Sequence, residues 1–222
     1  DQNTVPEFKY PNQIDELTYG VRLKNMQHPR QATVTVRRDD NEIALPYRSM
    51  GSFLPANGVG GAGTHWNGLL WRPQPEEIKL RSYVKEKWGE SIIPEGMNLM
   101  DYPVSYDELE PFFTQFDEVA GVSGTAGNLK GQIQAGGNPF EGWRSKEYPM
   151  PALGTTYDSS KFEACAKSMG LHPFPAPAGI ASTSYVNPYG MQMAPCNFCG
   201  FCERFGCYQY SKSSPQTAVL DA

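Results

Sequence analysis

The chain of 222 residues lacks several features that would assign it to a class at once. No apolar run approaches the roughly 18 residues that a membrane-spanning helix needs, and no signal peptide opens the sequence. Lysine and arginine number 19 against 24 aspartate and glutamate residues, which gives a net charge of −5 without any basic cluster. This balance argues against binding to nucleic acid or to an anionic membrane surface. Because no apolar run could span a membrane directly, work at a membrane would require a tethering partner.

Two nucleotide-binding motifs are also missing. The sequence contains neither a G-x-x-x-x-G-K-[ST] phosphate loop nor a clear strand followed by G-x-G-x-x-G, which binds the ADP half of a dinucleotide. Histidine is scarce, with three residues, and His28 and His172 each precede a proline in a loop-like context. We therefore assign neither of them as a catalytic base.

Glycine (22 residues) and proline (19 residues) are abundant, and aromatic residues make up 12% of the chain. The aromatic residues can build a core, whereas the glycine and proline content favours long ordered loops. We predict a mixed α+β fold with much irregular chain and little parallel sheet. Residues 33–37 and 42–47 have strand-like composition around a polar group at 39–41, which predicts a β-hairpin.

Three segments have helical patterns: residues 76–88 after Pro75, residues 106–120 and residues 161–169. The second and third each begin at a predicted S-x-x-E capping box, in which side chains satisfy the unpaired amides of the first turn. The boxes are Ser105 with Glu108 and Ser160 with Glu163. The second helix is expected to pack through one apolar face, formed by Leu109, Phe112, Phe113, Phe116, Val119 and Ala120. Cys165, on the third helix, is predicted to be a small core residue.

The other four cysteines lie in one run, CNFCGFCERFGC, with C-x2-C-x2-C-x4-C spacing: Cys196, Cys199, Cys202 and Cys207. Thiolates hold iron–sulfur clusters, and bacterial ferredoxins use a related compact run with x2 spacings. Structural zinc is an alternative, although its ligand pairs are usually separated by a longer spacer. Disulfides are another, although pairing within so short a loop would strain the usual Cα separation. The iron–sulfur interpretation is favoured.

A glycine-rich stretch, GVGGAGTHWNG at residues 58–68, is the second chemical signal. Its glycines would let backbone amides approach a flat or phosphorylated ligand that a Cβ would block. His65 and Trp66 follow the glycines directly. On residue types alone this stretch is also typical of an ordinary surface loop with a structural histidine.

Three motifs together carry a family resemblance. Residues 59–68 resemble the flavin loop of glucose–methanol–choline oxidoreductases, and VSYDELEPFF at residues 104–113 is similar to a second segment of that family. CGFCERFGC with the following KSSP resembles the large flavoprotein subunits of bacterial gluconate 2-dehydrogenase and the related sorbitol, fructose and glucose dehydrogenases. The resemblance extends over nearly the whole chain from about residue 40.

The resemblance implies an FAD-binding role for the glycine-rich loop. The residues that it places against FAD are Gly60, Gly61, Gly63, Thr64, His65, Trp66, Asn67 and Gly68. The G-G-x-x-T-H-W pattern is shared with pyranose oxidases, in which the histidine bonds covalently to the flavin. His65 occupies that position and is therefore the candidate for covalent FAD attachment, which would raise the flavin potential.

The resemblance also implies an electron path. The four-cysteine run would hold an iron–sulfur cluster between FAD and a cytochrome c subunit, with a three-iron cluster favoured and a four-iron cluster as the alternative. In the three-iron case one of the four cysteines would be a spectator, and Cys207, after the longer gap, is a candidate for either role, ligand or spectator. A small twin-arginine-type export subunit would accompany the enzyme, which implies a periplasmic location and membrane association through partner subunits.

The sequence departs from the family because the ADP-binding motif and the C-terminal catalytic histidine–asparagine pair are absent. We therefore expect an internal portion of the enzyme, with no catalytic residue and no turnover unless other segments complete it. Residues 1–80 are assigned to part of the FAD domain, 81–190 to a cap over the substrate, and 191–222 to the cluster loop and the return to the FAD domain.

The leading functional hypothesis is part of an FAD-dependent dehydrogenase that oxidises a sugar acid or polyol, with gluconate to 2-ketogluconate as the favoured reaction. A related sorbitol, fructose or glucose dehydrogenase is the alternative. From another class, a non-catalytic interaction module would use the four cysteines to bind zinc.

Overall fold

A computed structural model of the chain describes residues 34–36, 41, 45–47, 59–200, 202 and 206–220. Strands β1 (Val34–Val36) and β2 (Leu45–Tyr47) pair antiparallel, with Val36 opposite Leu45. The predicted hairpin is therefore confirmed. Gly58, the first residue of the glycine-rich stretch, and His28 lie outside the described residues.

The first predicted helix is present but interrupted. It comprises α1 (Pro75–Ile78) and α2 (Leu80–Trp88), separated at Lys79, whose φ of −118° and ψ of 44° are not helical. The backbone N–H of Gln74 donates to the Glu77 carboxylate at 2.6 Å, which satisfies an amide at the start of α1. No residue of α2 is buried, so its apolar side chains stay largely exposed.

Helix α3 (Tyr106–Ala120) has the predicted bounds and the predicted capping box. Ser105 Oγ accepts from the N–H of Glu108 at 3.2 Å, and the Glu108 carboxylate accepts from the N–H of Ser105 at 2.7 Å. Gly121 ends the helix at a left-handed φ of 61°, a conformation that glycine adopts without steric cost.

The predicted core-facing stripe of α3 is wrong at two of its six positions, and Leu109 and Phe113 are half-buried. Phe112 and Phe116 are 65% and 53% exposed, although Val119 and Ala120 at the end of the helix are buried. The face that packs inward instead carries Tyr106, Glu110, Thr114 and Asp117. The reason is that two arginines outside the helix neutralise this polar stripe, so burying it leaves no uncompensated charge.

Helix α4 (Tyr157–Ser168) begins four residues before the predicted start. Thr156 is its cap, accepting from the N–H of Ser159 at 3.3 Å, whereas Ser160 lies inside the helix and donates to the Tyr157 carbonyl. The second predicted capping box is therefore wrong. Cys165 is exposed rather than in the core, because α4 buries only Ala166 among its described side chains.

The remaining strands are two residues long: β3 (Ser123–Gly124), β4 (Asn128–Leu129), β5 (Gln132–Ile133), β6 (Met150–Pro151), β7 (Tyr185–Val186) and β8 (Gln192–Met193). β3 pairs with β6 in parallel, whereas β4 with β5 and β7 with β8 pair antiparallel. Mixed helix and strand with much irregular chain is therefore confirmed in the described part of the chain. The assignment to an FAD-binding fold and the three domain boundaries stay predictions.

The irregular segment at residues 177–181 organises the interior, and all five of its residues are buried. On one side, the backbone of Ala178 exchanges hydrogen bonds with Ser123 at 2.8 and 3.0 Å. Gly179 donates to the Gly68 carbonyl at 2.7 Å and accepts from the N–H of Ser213 at 2.8 Å. This segment therefore joins β3, the end of the glycine-rich loop and the segment that follows the cysteines.

Two small apolar clusters flank that segment. One comprises Ala120, Val122 and Tyr148, with Leu70 against it, and the other comprises Met150, Ala181 and Met193, with Tyr185 against it. Within the described ranges, none of the helices combines the length and the apolar character that crossing a bilayer demands.

Candidate functional site

The glycine-rich loop forms a short 3-10 turn at Gly61–Thr64, entered through Gly60 at a left-handed φ of 95°. Thr64 Oγ1 donates to the Gly61 carbonyl at 2.9 Å, and the N–H of His65 donates to the Ala62 carbonyl at 3.2 Å. Both Thr64 and His65 are buried, with His65 only 6% exposed. The turn thus places the histidine inside the molecule rather than on its surface.

Most glycines of this loop are required by the chain's own packing. A Cβ on Gly63 would lie 2.9 Å from Pro215 Cδ, and one on Gly68 would lie 2.6 Å from Ile180 Cδ1. A Cβ on Gly60 would lie 2.7 Å from Thr64 Cγ2. Gly61 differs, because nothing lies within 4 Å of its Cβ position although its φ is 53°. Gly61 is therefore the glycine that faces open space.

Trp66 and Asn67 close the loop in different ways. Trp66 Nε1 donates to the Ser213 carbonyl at 2.7 Å, a contact between residues 147 positions apart. Asn67 is exposed, and its side-chain oxygen accepts from the N–H of Leu69 at 3.1 Å. Trp66 thus fastens the loop to the segment after the cysteines, whereas the Asn67 side chain stays accessible.

Lys212 was not among the predicted site residues, yet it contacts both predicted sites. It is 2% exposed, and its Nζ donates to the carbonyl oxygens of Trp66 and of Cys202, the latter at 2.8 Å. Burial lowers the pKa of Lys212 to about 8, although the nearby thiols of Cys202, Cys207 and Cys199 oppose that shift. The KSSP letters at 212–215 were the signal in the sequence that could have pointed to it.

The four cysteines of the run are free and half-buried. Cys196 Sγ accepts a hydrogen bond from the N–H of Phe198 at 3.4 Å, and Phe198 and Gly200 have positive φ values of 56° and 81°. This tight curl is the backbone shape expected of a thiolate-ligand loop. Burial raises the pKa of the Cys196 and Cys202 thiols, and neighbouring thiols add to the shift.

The start of the run is anchored to the central segment. The N–H of Cys196 donates to the Ala181 carbonyl at 2.8 Å, and Ser211 Oγ donates to the Pro195 carbonyl at 3.2 Å. Phe201 and residues 203–205 lie outside the described part of the chain. The start of the cysteine run and Cys202 within it are therefore held by residues 181 and 211–212.

The four thiols of the run are the kind of ligands that a thiolate-bound metal group requires, but they are not arranged around one point. Among the described residues, no group of three or more His, Cys, Asp or Glu side chains is arranged to hold a metal ion. The thiols are nevertheless near enough to influence one another's pKa, as Cys199 and Cys207 do for Cys196. Four soft donors in one curled loop are therefore suited to a thiolate-bound metal group, although the described residues do not form a closed coordination shell.

A second polar cluster lies behind α3 and was missed by the sequence analysis. Arg72 donates to Asp117 Oδ2 at 2.6 Å and to Glu110 Oε1 at 3.1 Å, and Arg144 donates to Asp117 Oδ2 at 2.5 Å. Arg144 also stacks over the Tyr148 ring, 3.7 Å from its centroid. Glu110 and Asp117, seven residues apart on one helix, were the available signal. With two arginines and two carboxylates, we name Arg72, Arg144, Glu110 and Asp117 the arginine cluster.

A large open groove of about 1400 Å³ runs between α4 and the loops around residues 133–139 and 171–176. His172 lies on its wall, with its ring 6.0 Å from that of Phe140. Apolar side chains line the groove together with Asp158, Glu163 and Lys167. We assign no catalytic role to His172.

Comparisons with known proteins bear on all of these residues. No family model matches the chain. It is 46% identical, over its whole length, to the gluconate 2-dehydrogenase flavoprotein of Pantoea cypripedii, and it spans 36% of that protein. It is 29% identical over 58% of its length to the fructose dehydrogenase large subunit of Gluconobacter japonicus, of which the match covers 20%. The resemblance predicted from the three motifs is therefore confirmed, and the chain spans about a third of the more similar relative.

Proposed function

We propose that this chain, similar throughout to the large flavoprotein subunits of sugar and sugar-acid dehydrogenases, is an internal portion of an FAD-dependent oxidoreductase acting on alcohol groups. The favoured reaction is oxidation of gluconate to 2-ketogluconate, with a sorbitol, fructose or glucose dehydrogenase as the alternative. The observation that carries the proposal is the 46% identity over the entire chain, which includes both the glycine-rich loop and the cysteine run.

FAD would lie against the loop at residues 60–68. Bound there, it supplies the acceptor for a hydride from the alcohol carbon. Gly61 is the position at which a ring or phosphate can approach the backbone, because its Cβ side is open. His65 is the candidate for covalent attachment, and the 3-10 turn with its Thr64 hydrogen bond would fix the direction of the imidazole.

The cysteine run would hold an iron–sulfur cluster that passes single electrons from the flavin to a cytochrome c subunit. The curl at Phe198 and Gly200 and the N–H donated to Cys196 Sγ support this assignment, since such donors stabilise negative charge on sulfur. A three-iron cluster held by three of the thiols is favoured, and Cys207 is a candidate for either role, ligand or spectator. A four-iron cluster held by all four is the alternative.

No catalytic base is assigned within this chain, and the proton of the alcohol would be removed by a residue of the rest of the enzyme. The cap assignment of residues 81–190 fits the open groove beside α4. By the same resemblance, the enzyme would be periplasmic and held at the membrane by its cytochrome c subunit. A small export subunit of the twin-arginine type would accompany it.

Absorption spectroscopy with elemental analysis tests the proposal on anaerobically purified holoenzyme that contains the full-length subunit. We expect flavin bands, a broad brown absorption, and iron with acid-labile sulfide. Colourless protein with stoichiometric zinc would instead identify the four-cysteine interaction module. Protein without flavin, iron and zinc would overturn both functions.

A cysteine variant sharpens the assignment of the relay. Cys202→Ser is expected to remove cytochrome reduction while the flavin stays bound and is still bleached by substrate, because only the second half of the electron path is broken. Cys165→Ser, an exposed cysteine outside the run, is the matched control and should behave as the parent. An unaltered cytochrome reduction rate in Cys202→Ser would exclude the relay.

Covalent attachment has its own test. Acid-denatured holoenzyme should keep yellow flavin on the polypeptide, and His65→Ala should release it to the supernatant. His172→Ala is the control, because it replaces a histidine on the groove wall and should keep the flavin attached. Flavin that leaves the parent polypeptide on denaturation would contradict covalency without affecting the dehydrogenase assignment.

A further inference from the structure

Lys212 links the two sites. Its Nζ lies between the carbonyl of Trp66, next to His65, and the carbonyl of Cys202, inside the cysteine run. Lysine is rarely this deeply buried unless its ammonium group is engaged, since leaving it unsatisfied away from water is costly. This buried side chain with its hydrogen bonds to both segments is therefore not a surface contact, and we call it the Lys212 joint.

Other hydrogen bonds surround this contact. Trp66 Nε1 donates to the Ser213 carbonyl while Lys212 Nζ donates to the Trp66 carbonyl, so each segment donates one hydrogen bond to the other. The N–H of Ser213 donates in turn to the Gly179 carbonyl, and the N–H of Gly179 donates to the Gly68 carbonyl, which forms a ladder of hydrogen bonds. Among the described residues, only Lys212 extends this ladder by a side-chain hydrogen bond to Cys202.

We propose that Lys212 is a positioning residue that holds the cysteine run at a fixed distance from the histidine loop. The inference rests on the proposed function, in which FAD and an iron–sulfur cluster are bound by these two segments. Electron transfer between two bound groups falls steeply as their separation grows. A joint made by one ammonium group between the two binding segments would keep that separation short and constant.

The variant Lys212→Met tests this role, because it keeps a long side chain but removes the hydrogen bonds to the Trp66 and Cys202 carbonyls. In holoenzyme, the flavin is reduced by a laser flash with deazaflavin as electron donor, so that no substrate is needed, and transfer to the cluster is followed optically. We expect flavin and iron contents to be unchanged and the transfer rate to fall by about 10- to 100-fold, the scale on which a misplacement of about an ångström affects positioned reactions.

Two further variants separate positioning from general stability. Lys212→Arg retains the charge and several donors, and it should recover part of the lost rate. Lys146→Met, which removes an exposed lysine paired with Glu118, should transfer electrons as fast as the parent. Lys212→Met with full flavin and iron and a parental transfer rate would overturn the proposal.

Hydrogen exchange provides a readout that does not depend on transfer. The amides of Gly179 and Ser213 donate within this ladder, and the amide of Cys196 donates to the neighbouring Ala181. In the parent the three amides should therefore exchange together as one cooperative unit. In Lys212→Met their protection should fall together. If that variant yields no holoenzyme, the parent measurement decides, and independent exchange of Ser213 and Cys196 would overturn the joint.

The two proposals fail in different ways. A parent enzyme that contains flavin but no iron overturns the proposed relay. The Lys212 joint is then tested by the hydrogen-exchange measurement alone. A parent that contains both groups and shows flash-induced transfer, together with an unaffected Lys212→Met variant, leaves the proposed function in place and removes the joint.

Discussion

The arginine cluster and Lys212 are both buried cationic sites, but their surroundings differ. Arg72 and Arg144 face the carboxylates of Glu110 and Asp117. Burial is the largest single influence on the pKa of Arg72 and lowers it, but the charge of Asp117 and the hydrogen bonds to neighbouring side chains together raise that pKa. The described hydrogen bonds of Lys212 include two to backbone carbonyl groups, and burial lowers its pKa to about 8. The first site balances two arginines against two carboxylates, although Arg144 Nε and Nη1 make no hydrogen bond in the described part of the chain. At the second site, thiolates around a cluster would place negative charge near the Lys212 ammonium group under the proposed function.

The largest expected effect comes from breaking the arginine cluster. Asp117→Asn removes the charge that Arg72 and Arg144 share, and a buried pair that loses one partner typically costs about 3–5 kcal/mol. We expect a fall of that size in the free energy of unfolding, measured with urea. Glu118→Gln, which breaks an exposed pair with Lys146, is the control and should produce no measurable change. Similar losses in the two variants would contradict the electrostatic account of this helix.

Glu110 should show the pH dependence of the same site. Burial alone would raise the pKa of Glu110, but hydrogen bonds from the N–H of Ser145, the Thr114 hydroxyl and Arg72 leave it below its usual value. A carboxyl group with a lowered folded-state pKa stabilises the fold above its unfolded-state value of about 4.3. That contribution is then lost as the pH falls through the lower, folded-state pKa.

The variant Glu110→Gln makes this sign measurable. At pH 7 it should lower the free energy of unfolding by about 1–3 kcal/mol, the scale of hydrogen bonds to a charged group. Below about pH 4 the gap between parent and variant should shrink, because the parent carboxyl group also becomes protonated. Gln115→Ala, on the exposed side of α3, carries no titratable change, and its difference from the parent should stay constant with pH.

The contrast between the two sites also explains which features could be predicted from the sequence. The bounds and cap of α3 followed from Ser105, Glu108 and Gly121, since capping is a local interaction. The face that α3 buries did not follow, because it depends on Arg72 and Arg144, which are distant in sequence. Polar residues at 110, 114 and 117 look solvent-exposed until their partners are known.

The candidate site shows the same division. The residues of the glycine-rich loop and of the cysteine run could be identified from letters alone, because their spacing is local. Their connection could not, since Lys212 lies 146 positions from Trp66 and its burial depends on the ladder through Gly179. The predicted cap of α4 was wrong for a local reason. Thr156 and Ser160 both precede helical residues, and it is Thr156 that accepts the hydrogen bond from the first turn, from the N–H of Ser159.

Two glycines of the loop should separate packing from ligand approach. Gly68→Ala would place a Cβ 2.6 Å from Ile180 Cδ1 at a φ of 89°, and overpacking of this kind typically costs about 1–3 kcal/mol. Gly61→Ala meets no atom within 4 Å, so only its left-handed backbone adds a cost, about 1 kcal/mol. Urea unfolding should therefore rank Gly68→Ala below Gly61→Ala in stability.

Flavin content should rank the same two variants in the opposite order: Gly61→Ala, the more stable variant, should lose more flavin than Gly68→Ala. Gly61→Ala adds a methyl group on the open side of the loop, where FAD is proposed to approach, and it should lose more flavin than its small change in stability explains. Full flavin content in Gly61→Ala holoenzyme would move the proposed contact away from this residue. Gly89→Ala, at another open glycine with a φ of 85° beyond the loop, is the matched control.

The smallest expected effect concerns the reciprocal hydrogen bonds between Trp66 and residues 212–213. Trp66→Phe removes the indole N–H that donates to the Ser213 carbonyl, but it leaves Lys212 able to reach the Trp66 backbone carbonyl. Loss of one such hydrogen bond should lower the free energy of unfolding by about 1 kcal/mol. Trp71→Phe, at a half-exposed tryptophan that packs edge-on against Phe174, serves as the control and should change stability less. Equal losses would mean that the Trp66–Ser213 hydrogen bond adds nothing beyond aromatic packing, and that the joint between the two segments depends on Lys212 and the backbone ladder alone.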